Sequence, residues 1–236
     1  GAGETSLIDL TAAYASFVNG GKKVEPSLID RIQDRRGKNI FLENFAACTN
    51  CDEPYIEENP MPKLVNSSES IFDEAKSYQM VSILKGAVDR GTGRKTKIDG
   101  IEIAGKTGTT NNNTDAWFIG FTSDLIIGVY AGFDKPKSLG KRETGSSVAV
   151  PIFRDFVKNY YQEKPILPFT IPNGIELIKI NYDTGEIASN FNSSESVYEA
   201  FSKSDNLASS DEILVGTEGF QIIEVVDEVM EEYVIY

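Results

Sequence analysis

Apolar side chains at Leu7, Leu10, Tyr14, Phe17 and Val18 recur at the three- and four-residue spacings of a single helix face, which predicts a helix over residues 6–19. Ser6 and Asp9 sit as an N-terminal capping pair, and Gly20-Gly21 supplies the stop. The stretch "KVEPSLIDRIQDRRGKNIF" reads as two extended pieces around a turn at Asp34–Lys38. A polar stretch follows with Pro54, Pro60, Pro62 and both cysteines, and its lack of periodicity predicts an exposed loop. Helical spacing returns over residues 70–90, with Val81, Leu84 and Val88 on the inner stripe and "GTG" (91–93) ending it.

Strand character then takes over in three pieces, 98–110, 115–122 and 125–133. Their connections, "TNNN" and "TSD", are short and rich in turn formers, which makes the strands antiparallel neighbours. Residues 146–162 predict a third helix, capped by Ser146 or Ser147, with Pro151 near its first turn and a stripe of Val148, Ile152, Phe156 and Tyr160. A helix returning onto an antiparallel meander defines an α+β layer arrangement, an antiparallel sheet with packed helices. Past the proline-punctuated linker "KPILPFTIPNG" the character changes. "IELIKINYDTGEIAS" predicts a hairpin turning at Asp183–Gly185, and a Ser/Asn/Glu-rich stretch and an acidic end follow. Residues 1–170 and 171–236 are therefore read as a main domain and a small β-rich appendage.

Charge and composition remove several functions. The net charge is −13, which opposes a nucleic-acid partner; "DRRGK" and "DKPKSLGKR" read as exposed loop charge. The longest apolar run, "LIIGVYAGF" (125–133), has strand length and falls far short of the about 20 residues that span a bilayer. No basic-then-apolar leader opens the chain, which reads as soluble. Histidine is absent, so Ser-His-Asp and Cys-His mechanisms and histidine-based metal sites are excluded. Cys48 and Cys51 form a lone C-x-x-C. A four-thiolate zinc site needs two more cysteines, which leaves a loop-stapling disulfide in an oxidising compartment, two free thiols, or redox or metal work. No cofactor or metal is implied.

The chemistry concentrates in "AGKTGTT" (104–110), where an apolar strand ends. Lys106 brings a cation, Thr107 and Thr109 bring hydroxyls, and Gly108 has no side chain to hold a ligand away. An extended peptide can lie along such an edge by strand addition, with its terminal carboxylate received by the cation and hydroxyls. At about 4 Å and an effective dielectric of about 20, the ammonium–carboxylate attraction is about 4 kcal/mol before desolvation. Strand alternation points Lys106 and Thr107 to opposite faces, so both can serve one ligand only where the strand borders a cleft.

Taken in order, "GAGETSLIDLTAAYASFVNGG" (1–21), "VDRGTG" (88–93), "AGKTGTT", "DAWFIG" (115–120) and "GSSVAVPIF" (145–153) resemble the penicillin-binding proteins, specifically the class A bifunctional peptidoglycan synthases. The resemblance covers about residues 1–170; in 171–236 it is mainly at "PNGIELIKINYDTGE" and "GTEG". It implies a serine β-lactamase/D,D-transpeptidase-like fold with "KTG" on the strand edging the cleft. It also implies a parent enzyme that cross-links peptidoglycan stem peptides ending in D-Ala-D-Ala and binds β-lactams, anchored at the periplasmic face of the bacterial inner membrane. Lys106 and Thr109 would carry catalysis: Lys106 by holding the substrate carboxylate and polarising a serine, Thr109 by offering its backbone N–H to the oxyanion. Thr107, Gly108, Thr109 and Thr110 would bind substrate. Trp117, on the next strand, reads as core.

That reaction needs a serine in S-x-x-K and a second S-x-N motif, both upstream of "KTG". The look-alikes here, "SLGK" (Ser138–Lys141) and "SDN" (Ser204–Asn206), both follow it and read as coincidence. The nucleophile, the membrane anchor and the glycosyltransferase domain are expected outside this chain, which alone is expected to be inactive. Partner chains or dimerisation would cover surface left open by their absence. The competing reading is a non-catalytic β-lactam or muropeptide sensor.

Overall fold

The computed structural model describes residues 3–43, 46–49, 63–66, 68–187 and 196–203, with only the backbone of 46–49 and 63–66. The chain divides into two compact units, Gly1–Asn173 and Gly174–Tyr236. Among the described residues no helix is long and apolar enough to cross a membrane.

In the first unit, helix α1 (Leu7–Val18) is followed by the hairpin strands β1 (Arg31–Gln33) and β2 (Asn39–Leu42). Strands β3 (Ala46–Thr49) and β4 (Lys63–Asn66) then pair antiparallel, and helix α2 (Glu74–Asp89) follows. Strands β5 (Ala104–Thr109), β6 (Asp115–Phe121) and β7 (Ile126–Gly132) form the antiparallel meander in that spatial order, and helix α3 (Val150–Tyr160) comes after them. The second unit holds β8 (Ile175–Asn181) paired with β9 (Ser196–Ser202). The fold is α+β.

The local signals act as expected at α1, where the Ser6 hydroxyl accepts the Asp9 N–H at 3.1 Å. Helix α2 begins at Glu74 rather than near 70, because Asp73 caps it by accepting the N–H groups of Ala75 and Lys76. The stretch before it is used otherwise: the N–H groups of Ile71 and Phe72 both reach the carbonyl of Gly21. The first meander strand is likewise shorter than 98–110.

The meander sorts its side chains by parity. Register pairs Lys106 with Ile119, Gly108 with Trp117, and Trp117 with Tyr130, so these share one face, the face that α1 covers. Phe118 and Val129 point the other way, into a core with Val150, Phe153 and Val157 of α3. Phe118 and Phe153 are fully buried and meet edge to face at 4.9 Å, each worth about 2–3 kcal/mol of burial.

Three expectations are corrected. The third helix does not present Val148, Ile152, Phe156 and Tyr160: Ile152 and Phe156 are each 54% exposed, and Val150, Phe153 and Val157 are buried instead. Its start is a π-helical turn, Gly145–Ala149, capped by Thr144 rather than Ser146 or Ser147. A wider first turn breaks the spacing from Val148 to Ile152, and Phe153 then takes the place over Gly120, where a Cβ would lie 2.7 Å from its ring. Second, the cysteine-bearing stretch is not all loop, since β3 and β4 pair across it. Cys51 lies outside the described residues, as does the side chain of Cys48. Third, β8 takes its full partner from Ser196–Ser202 rather than from the Asp183–Gly185 turn, which closes only a single bridge, Ile180 to Ile187.

The end of α3 is fastened by a polar triad, the buried Thr122 and Tyr161 with the exposed Asp124. The Tyr161 hydroxyl donates to the Asp124 carboxylate and lies 2.6 Å from the Thr122 hydroxyl. Burial and the Asp124 carboxylate push Tyr161 up to about 12. Tyr161→Phe is expected to cost about 1–2 kcal/mol in urea unfolding with an unchanged m-value, because the buried Thr122 hydroxyl loses its nearest partner.

Candidate functional site

Among the described residues, strand β5 is the edge of its sheet: it pairs with β6 on one side and with no strand on the other. The residues singled out in the sequence, Lys106, Thr107, Gly108, Thr109 and Thr110, all line one groove of about 590 Å³ beside that edge. Bordering a groove removes the parity conflict, since side chains from both faces of an edge strand reach the same space. The opposite wall is apolar and comes from Leu7, Leu10 and Tyr14 of α1 with Ile119, Trp117 and Tyr130 of the sheet. Trp117 is half-buried on that wall, its ring 4.7 Å from Tyr130, and belongs to neither hydrophobic core cluster.

Each polar group has a defined partner. Lys106 is exposed, and its Nζ donates to the Thr107 carbonyl at 3.1 Å. The Thr107 hydroxyl lies 2.7 Å from that of Thr92. Gly108 sits over Trp117, where a Cβ would approach the Trp117 Cβ to 3.1 Å. The Thr109 hydroxyl accepts the Gly145 N–H at 3.0 Å, which joins the strand end to the π-helical turn. Thr110 accepts the Asp115 N–H at 2.9 Å and donates to the Asp115 carboxylate at 2.9 Å.

Asp115 organises the far end of the groove. Its carboxylate accepts hydroxyl protons from Tyr130 at 2.8 Å, Thr114 at 2.9 Å and Thr110. These donors, Tyr130 foremost, hold Asp115 below the usual carboxylate range, and the same bond raises Tyr130. At the other end of β5, Glu102 is ion-paired to Lys85 of α2 and accepts the Phe169 N–H at 2.9 Å. Burial pushes Glu102 up, but Lys85 and the Phe169 N–H outweigh it and hold the group low. Both ends of the strand are also tied beyond its sheet partner, through Gly145 at one and through Lys85 and Phe169 at the other.

Ser138 lies in an exposed loop with its hydroxyl accepting the Gly140 N–H at 3.2 Å, not at the start of a helix, so it is not aligned with Lys141 on adjacent turns. Ser204 and Asn206 lie outside the described residues. Sequence reasoning missed Thr92, Gly145 and Asp115 as parts of the site. All three lay in quoted segments, "VDRGTG", "GSSVAVPIF" and "DAWFIG", but none was given a role in the site.

Known proteins match the chain over most of its length. Residues 3–158 fit the penicillin binding protein transpeptidase domain, and the chain belongs to that family. Among individual proteins, it is 46% identical over 190 residues to penicillin-binding protein 1A of Rickettsia conorii, covering 78% of this chain and 24% of that protein. Penicillin-binding protein 1A of Neisseria gonorrhoeae is 36% identical over 176 residues, 74% of this chain and 20% of that protein. The crystal structure of penicillin-binding protein 1A from Haemophilus influenzae superposes with a TM-score of 0.66 at 28% identity, over 83% of this chain and 32% of that one. The chain spans about a quarter of the length of the curated relatives it matches.

Proposed function

We propose that this chain forms one wall of the active site of a peptidoglycan D,D-transpeptidase that also binds β-lactams. The observation that carries the reading is the convergence of Lys106, Thr107, Gly108 and Thr109 on one groove beside the open edge of β5 in a chain of this family. A stem peptide ending in D-Ala-D-Ala lies extended along that edge. Its terminal carboxylate is received by the Lys106 ammonium and the threonine hydroxyls, and its scissile carbonyl faces the backbone N–H of Thr109.

The attacking serine comes from polypeptide outside these 236 residues. Its Oγ adds to the carbonyl carbon of the penultimate D-Ala while its proton passes to a base. The bond to the terminal D-Ala breaks, and that residue leaves as the protonated amine. The amine of a second stem peptide then displaces the serine, which regains a proton. Lys106 lowers the barrier by holding the carboxylate and by polarising the incoming serine. A β-lactam carries the same carboxylate beside a strained amide and is received in the same way. The parent protein works at the periplasmic face of the inner membrane.

The isolated chain, incubated with a fluorescent penicillin, is expected to keep its mass. A chimera in which it replaces the matching stretch of the Rickettsia conorii relative is expected to gain one penicilloyl group, by intact mass spectrometry. An adduct on Ser138 of the isolated chain overturns the reading, as does an unlabelled chimera beside a labelled unmodified relative.

A further inference from the structure

The G-T-G turn that ends α2 does more than stop a helix. A Cβ on Gly91 would lie 2.9 Å from the Ala87 carbonyl oxygen, and one on Gly93 would lie 3.1 Å from the same atom. The Gly93 N–H donates to that oxygen at 3.0 Å. The two glycines therefore let the chain fold straight back onto the last turn of α2. The residue between them is exposed, and its hydroxyl reaches 15 residues along the chain to lie 2.7 Å from that of Thr107. Ending the helix requires the glycines but makes no use of a threonine hydroxyl.

We propose that Thr92 is a positioning residue for carboxylate recognition: its hydroxyl donates to Thr107 Oγ1, so that Thr107 turns its own proton toward the carboxylate of a peptide lying along β5. The proposal rests on the groove reading given above. A hydroxyl has one proton and two lone pairs. A carboxylate only accepts, so Thr107 must donate outward, and its oxygen is then free to accept from behind. Thr92 stands at that position. A donor behind Thr107 both fixes its rotor and polarises its O–H, as in any hydrogen-bonded chain. Thr107 lines the groove and Thr92 does not, so Thr92 acts through its neighbour rather than on the ligand. Neither hydroxyl titrates near neutral pH, so the pair keeps its direction wherever the fold persists.

The test uses the 236-residue chain and its single tryptophan, Trp117, which lies on the groove wall. The chain is titrated with an N-acylated peptide ending in D-Ala-D-Ala and with the same peptide as its C-terminal amide. Binding is read by Trp117 emission, and by calorimetry where the emission does not change. Saturable binding of the acid and not the amide is expected. Thr92→Val should weaken the acid about fivefold and Thr92→Ser should restore it to within about twofold, with the thermal midpoint unmoved because the site is exposed. Tyr161→Phe, remote from the groove, should lower the midpoint and leave affinity alone. Equal affinity of Thr92→Val and the unsubstituted chain overturns this proposal while leaving the groove reading standing. Loss in both Val and Ser variants also overturns it, since a hydroxyl that fails to rescue is not the operative group. An unsubstituted chain that does not distinguish acid from amide overturns the groove reading and this proposal together.

Discussion

Lys106→Ala in the Rickettsia chimera is expected to slow penicillin labelling by about 10²–10³-fold, with the fold intact. The side chain is exposed, so its removal leaves no cavity. What goes is the one cation among the groove-lining residues, in contact with a strand edge that otherwise offers only hydroxyls and backbone. At about 4 Å and an effective dielectric of about 20 that cation is worth about 4 kcal/mol to a carboxylate before desolvation, and more where the substrate excludes water. Lys106→Arg should recover only part of the rate. The planar guanidinium keeps the charge but cannot take the compact position of an ammonium against the Thr107 carbonyl. Stopped-time labelling measured against an unmodified relative decides the matter; a rate within about threefold of the parent would remove Lys106 from the mechanism.

The second large effect is on folding. Gly145→Ala is expected to cost about 3 kcal/mol or more in urea unfolding of the isolated chain, or to prevent folding altogether. A Cβ at Gly145 would lie 2.4 Å from the Trp117 carbonyl oxygen and 2.6 Å from that of Gly108. Both atoms are backbone in the paired strands β5 and β6, so neither can swing away without opening the ladder. The displaced turn would also withdraw the N–H that the Thr109 hydroxyl accepts. Gly3→Ala is the control, since a Cβ there meets nothing within 4 Å and should change stability by less than about 0.5 kcal/mol.

Where the chain obeys local rules, the sequence is readable. Helix α1 announces its cap, its stripe and its stop, and the meander β5–β6–β7 is set out by turn-forming residues between short apolar runs. Local rules fail where a long-range partner chooses. "VPIFRDFVKNYY" carries two apolar stripes, and only the recess over Gly120 decides that Phe153 turns inward in place of Phe156. Strands β8 and β9 pair across a polar stretch, so the nearer turn looked like the natural hairpin.

The site divides in the same way. The "KTG" residues stand out because a cation, a hydroxyl and a glycine share one strand end. Thr92 and Gly145 meet that strand across 15 and 36 residues. Nothing in the spacing of a helix stop or a helix start points to such a contact.

The open side of β5 has a cost that its sequence helps to limit. A bare strand edge invites another copy of itself, and pairing of that kind leads to aggregates rather than to turnover. An antiparallel encounter of two such edges would bring two Lys106 ammoniums close together, and like charges so placed repel. The lysine that attracts a peptide tail therefore also discourages self-association, and a neutral residue there would surrender both effects.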